Sequence, residues 1–364
     1  MKTRPLSFLA ACILAAPASF VVGRAGGPAI SGEPPSRPAA EPTTATATAP
    51  CVRVDKPGTQ VRGEVKICPG RYRVVDRSEI GVIVAAASGT RIDLSGVTLE
   101  SGDQDPSQFT GIGILSRGVD SISVRGGRIR GFRYGIRLEG GSGHRVSGVD
   151  LAGSRAQALR STPQLYDQAD WLDLAHPETF ETYGGGVYLR RTVGASITGI
   201  IARGSQNGIG LFESREAWIA DNDVSGNSGW GIHLWRSSRN TIVRNRADHN
   251  VRCESPAYRR GCDSAGLLLR QQSDSNLIAD NDLTWSGDGF LLGGAAGVLL
   301  PSIGNLVLRN DASHAWHCAF KSTFGSGNSY LENRADSADY GFWLGYSQDN
   351  LVRGNVLLGS RTAA

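Results

Sequence analysis

Short stretches in which apolar and polar residues alternate follow one another from about residue 70 onward. One phrase recurs in them: a glycine, a branched apolar residue, any residue and an apolar residue. Its copies are "GIGI" at 111, "GIRL" at 135, "GVYL" at 186, "GIGL" at 208, "GIHL" at 231, "GFLL" at 289 and "GFWL" at 341, with degraded copies "GLLL" at 266 and "AFKS" at 319. A period of two predicts β-strands whose apolar residues face a core and whose middle residue faces solvent.

A second phrase lies between these copies and carries an asparagine, as in "IADNDV" and "IVRNRA". The asparagines of this phrase are Asn222, Asn245, Asn281, Asn310, Asn333 and Asn355. Asparagines stacked at one bend of successive coils can satisfy each other's amide groups. We therefore expect them to form a structural ladder.

The spacing of the two phrases indicates the architecture. Gly186, Gly208 and Gly231 follow one another at steps of 22 and 23 residues, and the step from Asn310 to Asn333 is again 23. A fixed period of this size indicates a solenoid, and no segment shows the amphipathic helical pattern of a leucine-rich repeat. Because parallel crossovers are overwhelmingly right-handed, we predict an all-β, single-stranded right-handed parallel β-helix with coils of 22–24 residues.

The pattern resembles the right-handed parallel β-helix proteins that share the carbohydrate-binding and sugar-hydrolase repeat. The stretch "CVRV…VKICPGRYRV", followed by "GTRIDLSGVTLES", is similar to the opening coils of their NosD-like branch. The resemblance covers about residues 51 to 364. It implies a family of pectate-type lyases, alginate epimerases, glycoside hydrolases and a copper-maturation accessory protein, among which fold alone does not choose.

The N-terminus has the composition of an export signal. Lys2 and Arg4 precede the apolar run 6–15 and a small-residue cleavage pattern, so residues 1–25 are assigned to a signal peptide. Residues 26–50 are rich in Pro, Ala and Thr and predict a flexible linker, leaving 51–364 as the β-helix domain. Export to the periplasm or the cell exterior is favoured over a lipoprotein anchor at Cys12. No second apolar run is long enough to span a membrane.

Charge and cysteines narrow this picture. Loss of residues 1–25 would remove three basic residues and lower the formal charge from +4 to +1, so a nucleic-acid partner is not expected. In an oxidising compartment, Cys51 and Cys68 predict one disulfide, and Cys253 and Cys262 predict another. Cys318 is left over and is interpreted as a small buried apolar residue.

The period breaks at insertions near 154–185, 250–264 and 293–302. The first two fall at the same point of the coil, so we expect them to bracket a trough about 15 Å wide. Candidate ligand contacts on these loops are Asp170, Asp173 and His176 in the first and Tyr258 in the second.

Two columns of outward positions run along the repeated strands beside these insertions. The middle positions are Tyr188, Gly210, His233, Leu268, Leu291, Lys321 and Trp343, and the positions two residues on are Arg190, Phe212, Trp235, Arg270, Gly293, Thr323 and Gly345. The catalytic candidates are His233, Tyr188, Arg270 and Lys321. The substrate-binding candidates are Arg190, Trp235, Phe212, Glu213 and Trp343.

These residue types match removal of the proton next to a sugar carboxylate, the first step of polysaccharide lyases and uronate epimerases. Arg270 or Arg190 would hold the carboxylate, and the aromatic candidates would offer flat faces to the sugar ring. His233 would act as the base and Tyr188 as the acid. Lys321 is a second candidate base, since a desolvated lysine can release its proton and arginine almost never does.

Other chemistries find less support. A glycoside hydrolase needs two carboxylates about 5–9.5 Å apart. Carboxylates near the same strand are Glu213, Asp263 and Asp288, and Asp170 or Asp173 could reach over, but no pair is singled out by spacing. A copper site needs converging His, Met or Cys ligands, but the single methionine is the initiator. His249 and His314 align in one column two coils apart, about 10 Å. No cofactor is expected, and Ca²⁺ has no supporting motif.

We therefore expect an exported β-helix protein that binds and modifies an acidic polysaccharide by elimination or epimerisation. The sequence lacks a lyase or epimerase signature, so a non-catalytic carbohydrate-binding or NosD-like accessory protein is the alternative, and a glycoside hydrolase is a second one. The last residues, "LLGSRTAA", follow within one coil of the last clear repeat. Because open β-helix ends expose strand edges, we expect an oligomer or a missing C-terminal cap.

Overall fold

The computed structural model describes residues 51–102, 105–174, 176–253, 261–293 and 300–360. The expectations for the signal peptide, Cys12, the linker, Tyr258 and the centre of the third insertion lie outside these residues. No helix in the described residues is long and apolar enough to cross a membrane.

The described chain coils through three faces, and the first face is an all-parallel sheet of eleven described strands. Its strands are Thr59–Val61 (β1), Ile83–Ala85 (β4), Ile112–Arg117 (β7), Tyr134–Glu139 (β10), Gly185–Arg190 (β12), Ile209–Phe212 (β14), Trp230–Trp235 (β16), Ala265–Arg270 (β18), Asp288–Gly293 (β20), Cys318–Thr323 (β22) and Tyr340–Gly345 (β24). Each strand pairs with the strand one coil away, so the predicted parallel β-helix is confirmed.

The second face is a parallel sheet of eleven described three-residue strands, and the third face is a parallel sheet of three described strands. The second-face strands are Glu64–Lys66 (β2), Arg91–Asp93 (β5), Ser123–Arg125 (β8), Arg145–Ser147 (β11), Ser196–Thr198 (β13), Trp218–Ala220 (β15), Thr241–Val243 (β17), Leu277–Ala279 (β19), Leu306–Leu308 (β21), Ser329–Leu331 (β23) and Leu351–Arg353 (β25). The third-face strands are Gly70–Arg73 (β3), Val97–Glu100 (β6) and Arg128–Arg130 (β9). Single parallel bridges continue the third face to Val356.

Register explains the repeated phrase. Ile209 pairs with Ile232, and Ile232 pairs with Leu267, so the apolar positions stack in columns inside the coil. These columns are buried and form one long core. A Cβ at Gly231 would lie 2.6 Å from the carbonyl oxygen of Gly266, so the glycine of the phrase allows successive coils to approach each other.

One copy of the phrase is displaced from its predicted alignment. Ile114 pairs with Ile136. Gly113, and not Gly111, therefore occupies the position of Gly135 in the next coil. The apolar residues on both sides of Gly113 made either alignment compatible with a period of two.

The six predicted asparagines are joined side chain to side chain. Their amide nitrogens donate to the amide oxygen of the next asparagine at 2.8 to 3.1 Å, from Asn222 through to Asn355. A second ladder at another bend escaped the sequence analysis. It consists of Asn240, Asn276, Asn305 and Asn328, linked at 2.9 to 3.0 Å.

Two disulfides are present in the described residues, Cys51–Cys68 and Cys253–Cys262, while Cys318 is a buried free thiol. Helical structure in the described residues is limited to one α-helix, Glu178–Tyr183 (α1), and two 3₁₀ turns, Pro106–Gln108 and Gln168–Asp170. The helix α1 and the second 3₁₀ turn both lie in the first insertion, which we call the lid segment (residues 154–185).

Candidate functional site

The lid segment lies across the outer face of the first sheet. Phe180 of α1 is fully buried and packs its ring against Phe212 at 5.2 Å, Tyr188 at 5.8 Å and His233 at 5.8 Å between centroids. A second apolar cluster forms there from Ile112, Leu115, Tyr134, Leu172, Phe180, Tyr188, Phe212, Trp230, Trp235, Ala265, Leu268 and Leu291. This part of the outer face is therefore a second core and is covered from solvent.

The prediction of an open trough between the first two insertions is wrong, because the two insertions contact each other. The amide of Leu172 donates to the carbonyl oxygen of Cys262 at 3.3 Å. The guanidinium of Arg252, which is buried, donates to the carbonyl oxygen of Asp170. The lid segment therefore covers the outer face of the strands between the two insertions.

His233 illustrates the consequence. Its register beside Gly210 and Leu268 is the predicted one, but only 2% of the residue is exposed. Neither ring nitrogen has a hydrogen-bond partner among the described residues, and the ring lies 4.7 Å from the Trp230 ring. Burial, reinforced by the charge of Arg270, lowers the pKa of His233 well below its ordinary value. The expectation that His233 faces solvent is wrong, and its imidazole stays neutral.

The neighbouring catalytic candidate is also enclosed. The hydroxyl of Tyr188 donates to Glu181 Oε1 at 2.7 Å, and burial followed by this contact raises the pKa of Tyr188 far above its ordinary value. Arg190 lies 3.5 Å from the same carboxylate oxygen. These two contacts to Glu181 hold α1 on the sheet. Glu213 sits on the turn after β14 and pairs with Arg191 at 2.5 Å.

The candidate ligand contacts on the lid segment lie in two different environments, one buried and one exposed. Asp170 is fully buried, and its Oδ2 accepts from the backbone amides of Arg160 at 2.9 Å and Ser161 at 2.7 Å. It therefore shapes the loop. Asp173 and His176 pair at the surface, with Nδ1 of His176 2.8 Å from Asp173 Oδ2.

Beyond the lid segment the same sheet face carries charges. Lys321 Nζ lies 3.1 Å from Asp263 Oδ1 and 3.4 Å from Asp288 Oδ2. The other oxygen of Asp288 is 3.0 Å from His317 Nδ1 and accepts from the amide of Cys318 at 2.9 Å. We call Asp263, Asp288, His317 and Lys321 the charged cluster.

Electrostatics separates the two acids of this cluster. Burial alone would raise the pKa of Asp288, but Lys321 and His317 outweigh it and hold that pKa at about 2. For Asp263, burial prevails over Lys321 and the pKa is raised. Burial would lower the pKa of Lys321, but the two carboxylates overcome it and raise that pKa. These contacts favour the ammonium form of Lys321 and so do not support its expected role as a base.

The charged cluster is open on one side. The side chain of His317 is 30% exposed, whereas that of Asp288 is 2% exposed. Trp343 is 41% exposed, and its ring lies 6.4 Å from that of His317 and 5.1 Å from that of Tyr340. The solvent-facing part of the site is thus an imidazole beside a flat indole.

Arg270 lies between the covered and the open parts of the sheet. It is 1% exposed, and its Nε and Nη2 have no hydrogen-bond partner within the described part of the chain. Its Nη1 would be 2.9 Å from a Cβ at Gly293, so this glycine makes room for the guanidinium. Burial lowers the pKa of Arg270 to about 10, which still leaves it charged at neutral pH.

Sequence reasoning placed Lys321 and Trp343 here and noted Asp263 and Asp288 only as carboxylates near one strand. It did not connect these two acids with Lys321, and it missed His317. Asp288 directly precedes the phrase glycine Gly289, and His317 directly precedes the strand β22. Neither residue therefore belongs to the two outward columns that the sequence analysis considered. The available signal was an acid at the head of "DGFLL". It occupies the outward position that Ala265 takes one coil earlier.

Comparison with known proteins places this geometry in context. The sequence model of the family described as periplasmic copper-binding protein (NosD) matches residues 75–286. A mutant of the periplasmic alginate epimerase AlgG is similar in structure with a TM-score of 0.56 and 13% identity, covering 82% of this chain and 76% of that one. The A-module of the Azotobacter vinelandii mannuronan C-5 epimerase AlgE4 gives 0.55 and 13%, covering 82% and 80%. No curated protein sequence matches the chain.

A copper ion would need several His, Cys or Met donor atoms that converge. In the described residues, one group of His, Cys and acidic side chains brings its donor atoms within 4.8 Å, namely Asp288, His317 and Cys318. Cys318 is fully buried, and burial, followed by the charge of Asp288, raises the pKa of its thiol. Asp288 is also paired with the Lys321 ammonium. This group is an ion-pair network and does not fit copper.

Proposed function

The chain belongs to the NosD family, and from that premise we propose that it is an exported protein that binds an acidic polysaccharide and removes the ring proton next to a sugar carboxylate. Export is supported by the N-terminal signal pattern and by the periplasmic description of the family. The substrate class is supported by the alginate epimerases that share the fold. The proposal rests chiefly on the charged cluster.

The observation that carries the proposal is the geometry of the charged cluster, in which Asp288 orients a partly exposed imidazole and shares the Lys321 ammonium with Asp263. Asp288, held ionised, fixes Nδ1 of His317 and leaves Nε2 for the substrate. Asp263, with its raised pKa, is suited to deliver a proton. Opposed pKa shifts in one site are typical of acid and base pairs in enzymes.

The chemistry follows from these roles. His317 Nε2 takes the proton from the carbon next to the carboxylate, and the electron pair of the broken C–H bond moves onto the carboxylate. The Lys321 ammonium and the guanidinium of Arg270 stabilise this added charge. Asp263 then returns a proton to the opposite face, which is epimerisation. Alternatively, the electron pair expels the neighbouring glycosidic oxygen, which Asp263 protonates, and this is elimination.

The test uses purified protein with alginate, pectate and hyaluronan. Elimination is followed by the absorbance of unsaturated uronate, and epimerisation by exchange of the ring proton in deuterated water. We expect His317→Gln to slow either reaction by about 10²–10⁴-fold, the range for loss of a positioned base. Lys321→Met should do the same, while Lys66→Met, at an exposed lysine on the second sheet, should leave the rate unchanged.

Each outcome decides between the alternatives. Wild-type rates in His317→Gln would overturn its assignment as the base. No product and no exchange with any polymer would overturn the catalytic proposal, and retained polymer binding in that case would favour the non-catalytic accessory protein. Thermal unfolding of each variant checks that the fold is intact.

A further inference from the structure

A column of unusual residues follows the first asparagine ladder. The residues four positions after successive ladder asparagines all have φ in the left-handed region, between 53° and 66°. They are Gly226, His249, Trp285, His314, Ser337 and Gly359. Three adjacent coils therefore place large rings where the outer coils have glycine or serine.

The rings at these positions are not required by the backbone. Left-handed backbone favours glycine, and a side chain with a Cβ is disfavoured there by roughly 1 kcal/mol or more per residue. Bulky residues also occupy left-handed bends elsewhere in the described chain, for example Arg244 and Phe324, so backbone strain alone does not single out these rings. His249 and Trp285 are exposed, Trp285 by 43%, so core burial does not explain them either.

The three rings form a stack, which we call the aromatic shelf (His249, Trp285 and His314). Trp285 lies parallel to His314 with centroids 4.3 Å apart and to His249 with centroids 6.1 Å apart. Nδ1 of His249 lies 3.0 Å from the buried Asp248 carboxylate, which fixes the ring. Because His249 and His314 stack against Trp285 from the two neighbouring coils, the flat face left for a ligand is the outer face of His249, beside the coil of Gly226.

A surface cavity of about 350 Å³ lies at the His249 end of the shelf. One wall is the coil of Gly226, Asn227 and Ser228, and the other wall comprises His249, Val251, Trp285 and Trp316. A Cβ at Gly226 would meet no atom of the described residues within 4 Å, so the space over this coil is open. A second cavity of about 590 Å³ shares Gly226 and continues over Gly204 beside Arg203.

The shelf is joined to the charged cluster through the chain itself. Trp316 in the cavity wall is followed directly by His317, and Trp285 precedes Asp288 by three residues. A polymer in the cavity would therefore be held on the same two coils that carry the candidate base and its carboxylate partner.

We propose that the aromatic shelf and its cavity form a subsite for one pyranose ring of a polysaccharide. A pyranose has an apolar C–H face and a rim of hydroxyls, which match flat rings bordered by imidazole and hydroxyl groups. The subsite positions the polymer for the charged cluster, and in this respect the inference rests on the proposed function. The open groove over the glycine coils accommodates the next sugars.

The test measures binding without catalysis. Hexasaccharides of alginate, pectate and cellulose are titrated into wild-type protein and the variants Trp285→Ala and His249→Gly, with calorimetric detection. We expect the Kd of the best ligand to rise by about tenfold or more in both variants. Trp218→Ala is the matched control, because Trp218 is also 43% exposed but lies on the second sheet. His249→Gly also relieves the left-handed strain, so its melting temperature should not fall.

Equal Kd values in wild type and both variants would overturn the subsite. It would also be overturned if the wild type bound none of the three glycans. A change of oligomeric state in Trp285→Ala, measured by sedimentation, would identify the shelf as an interface between copies and also overturn it. If the wild type binds a glycan but forms no product, and Trp285→Ala binds that glycan more weakly, the subsite stands and the proposed chemistry falls. If product formation is unaffected by Trp285→Ala, together with unchanged binding, the chemistry stands and the subsite falls.

Discussion

The outer face of the first sheet has two halves that follow the same pattern but differ in character. Under the lid segment, the middle positions Tyr188, His233 and Leu268 are buried in the cluster that contains Phe180 or against its ring. Beyond the lid segment, the same column continues with Lys321 and Trp343, which carry charge and exposed aromatic surface. Alternation along a strand determines which side chains point away from the core of the coil. Whether those side chains reach solvent depends on whether another segment packs on them.

Two histidines show the difference most clearly. His233 in the covered half has no hydrogen-bond partner for either nitrogen in the described structure, and burial disfavours its charged form. His317 in the open half is partly exposed and has its Nδ1 fixed by Asp288. Of these two, His317 has both solvent access and an orienting carboxylate, the arrangement that proton transfer requires.

The largest expected effect comes from removing the residue that creates the covered half. Phe180→Ala should lower the free energy of unfolding by about 3–5 kcal/mol, because a fully buried ring is lost and a cavity remains. Chemical denaturation measures this change. Leu165→Ala is the control, since Leu165 lies in the same lid segment but is 61% exposed and should change stability little. Similar small effects in both variants would contradict a second core beneath the lid.

A smaller effect should appear in the pH dependence of stability. The folded-state pKa of His233 is lowered below the unfolded value of about 6.5, so acid protonates the unfolded chain first. The free energy of unfolding should therefore be unaffected by this group above pH of about 7. It should fall by about 1.4 kcal/mol per pH unit below about 6.5, until the folded-state pKa is reached.

His233→Leu isolates this contribution, because the other titrating groups remain in both proteins. The difference in unfolding free energy between wild type and variant should be constant from about pH 8 to about pH 7 and should move against the wild type as the pH falls below about 6.5. Urea denaturation at each pH measures it. Parallel curves across this range would show that His233 is not held neutral by its surroundings.

The repeat made the fold accessible from sequence. The steps between Gly186, Gly208 and Gly231 set the coil length, and the asparagine spacing located one ladder. The displaced copy at Gly111 shows the limit, since a period of two tolerates a shift of two residues without exposing an apolar side chain. The second ladder was overlooked although it was visible, since its asparagines recur in "SRNTIV", "DSNLIA", "IGNLVL" and "SGNSYL", each five residues before an asparagine of the first ladder.

The site was less accessible for a physical reason. Insertions have no period, so the sequence did not indicate that α1 would place Phe180 over His233 and close the expected trough. Ion pairing was equally hidden, because the Asp263–Lys321 pair joins residues 58 positions apart. Lys321 was selected as an outward cation, but its protonation depends on two carboxylates that only the coiled structure brings to it.

The smallest expected change in stability belongs to the open half. Trp343 is 41% exposed, so Trp343→Ala should change the free energy of unfolding by about 0.5 kcal/mol or less, as surface substitutions commonly do. Trp235→Ala, in the covered half at 7% exposure, should destabilise by about 3–5 kcal/mol. Chemical denaturation of the pair measures the contrast, and alginate hexasaccharide titration should show weaker binding for Trp343→Ala. Equal destabilisation by the two substitutions would mean that Trp343 also has a structural role, and the division of the sheet face into a packed half and an open half would then fail.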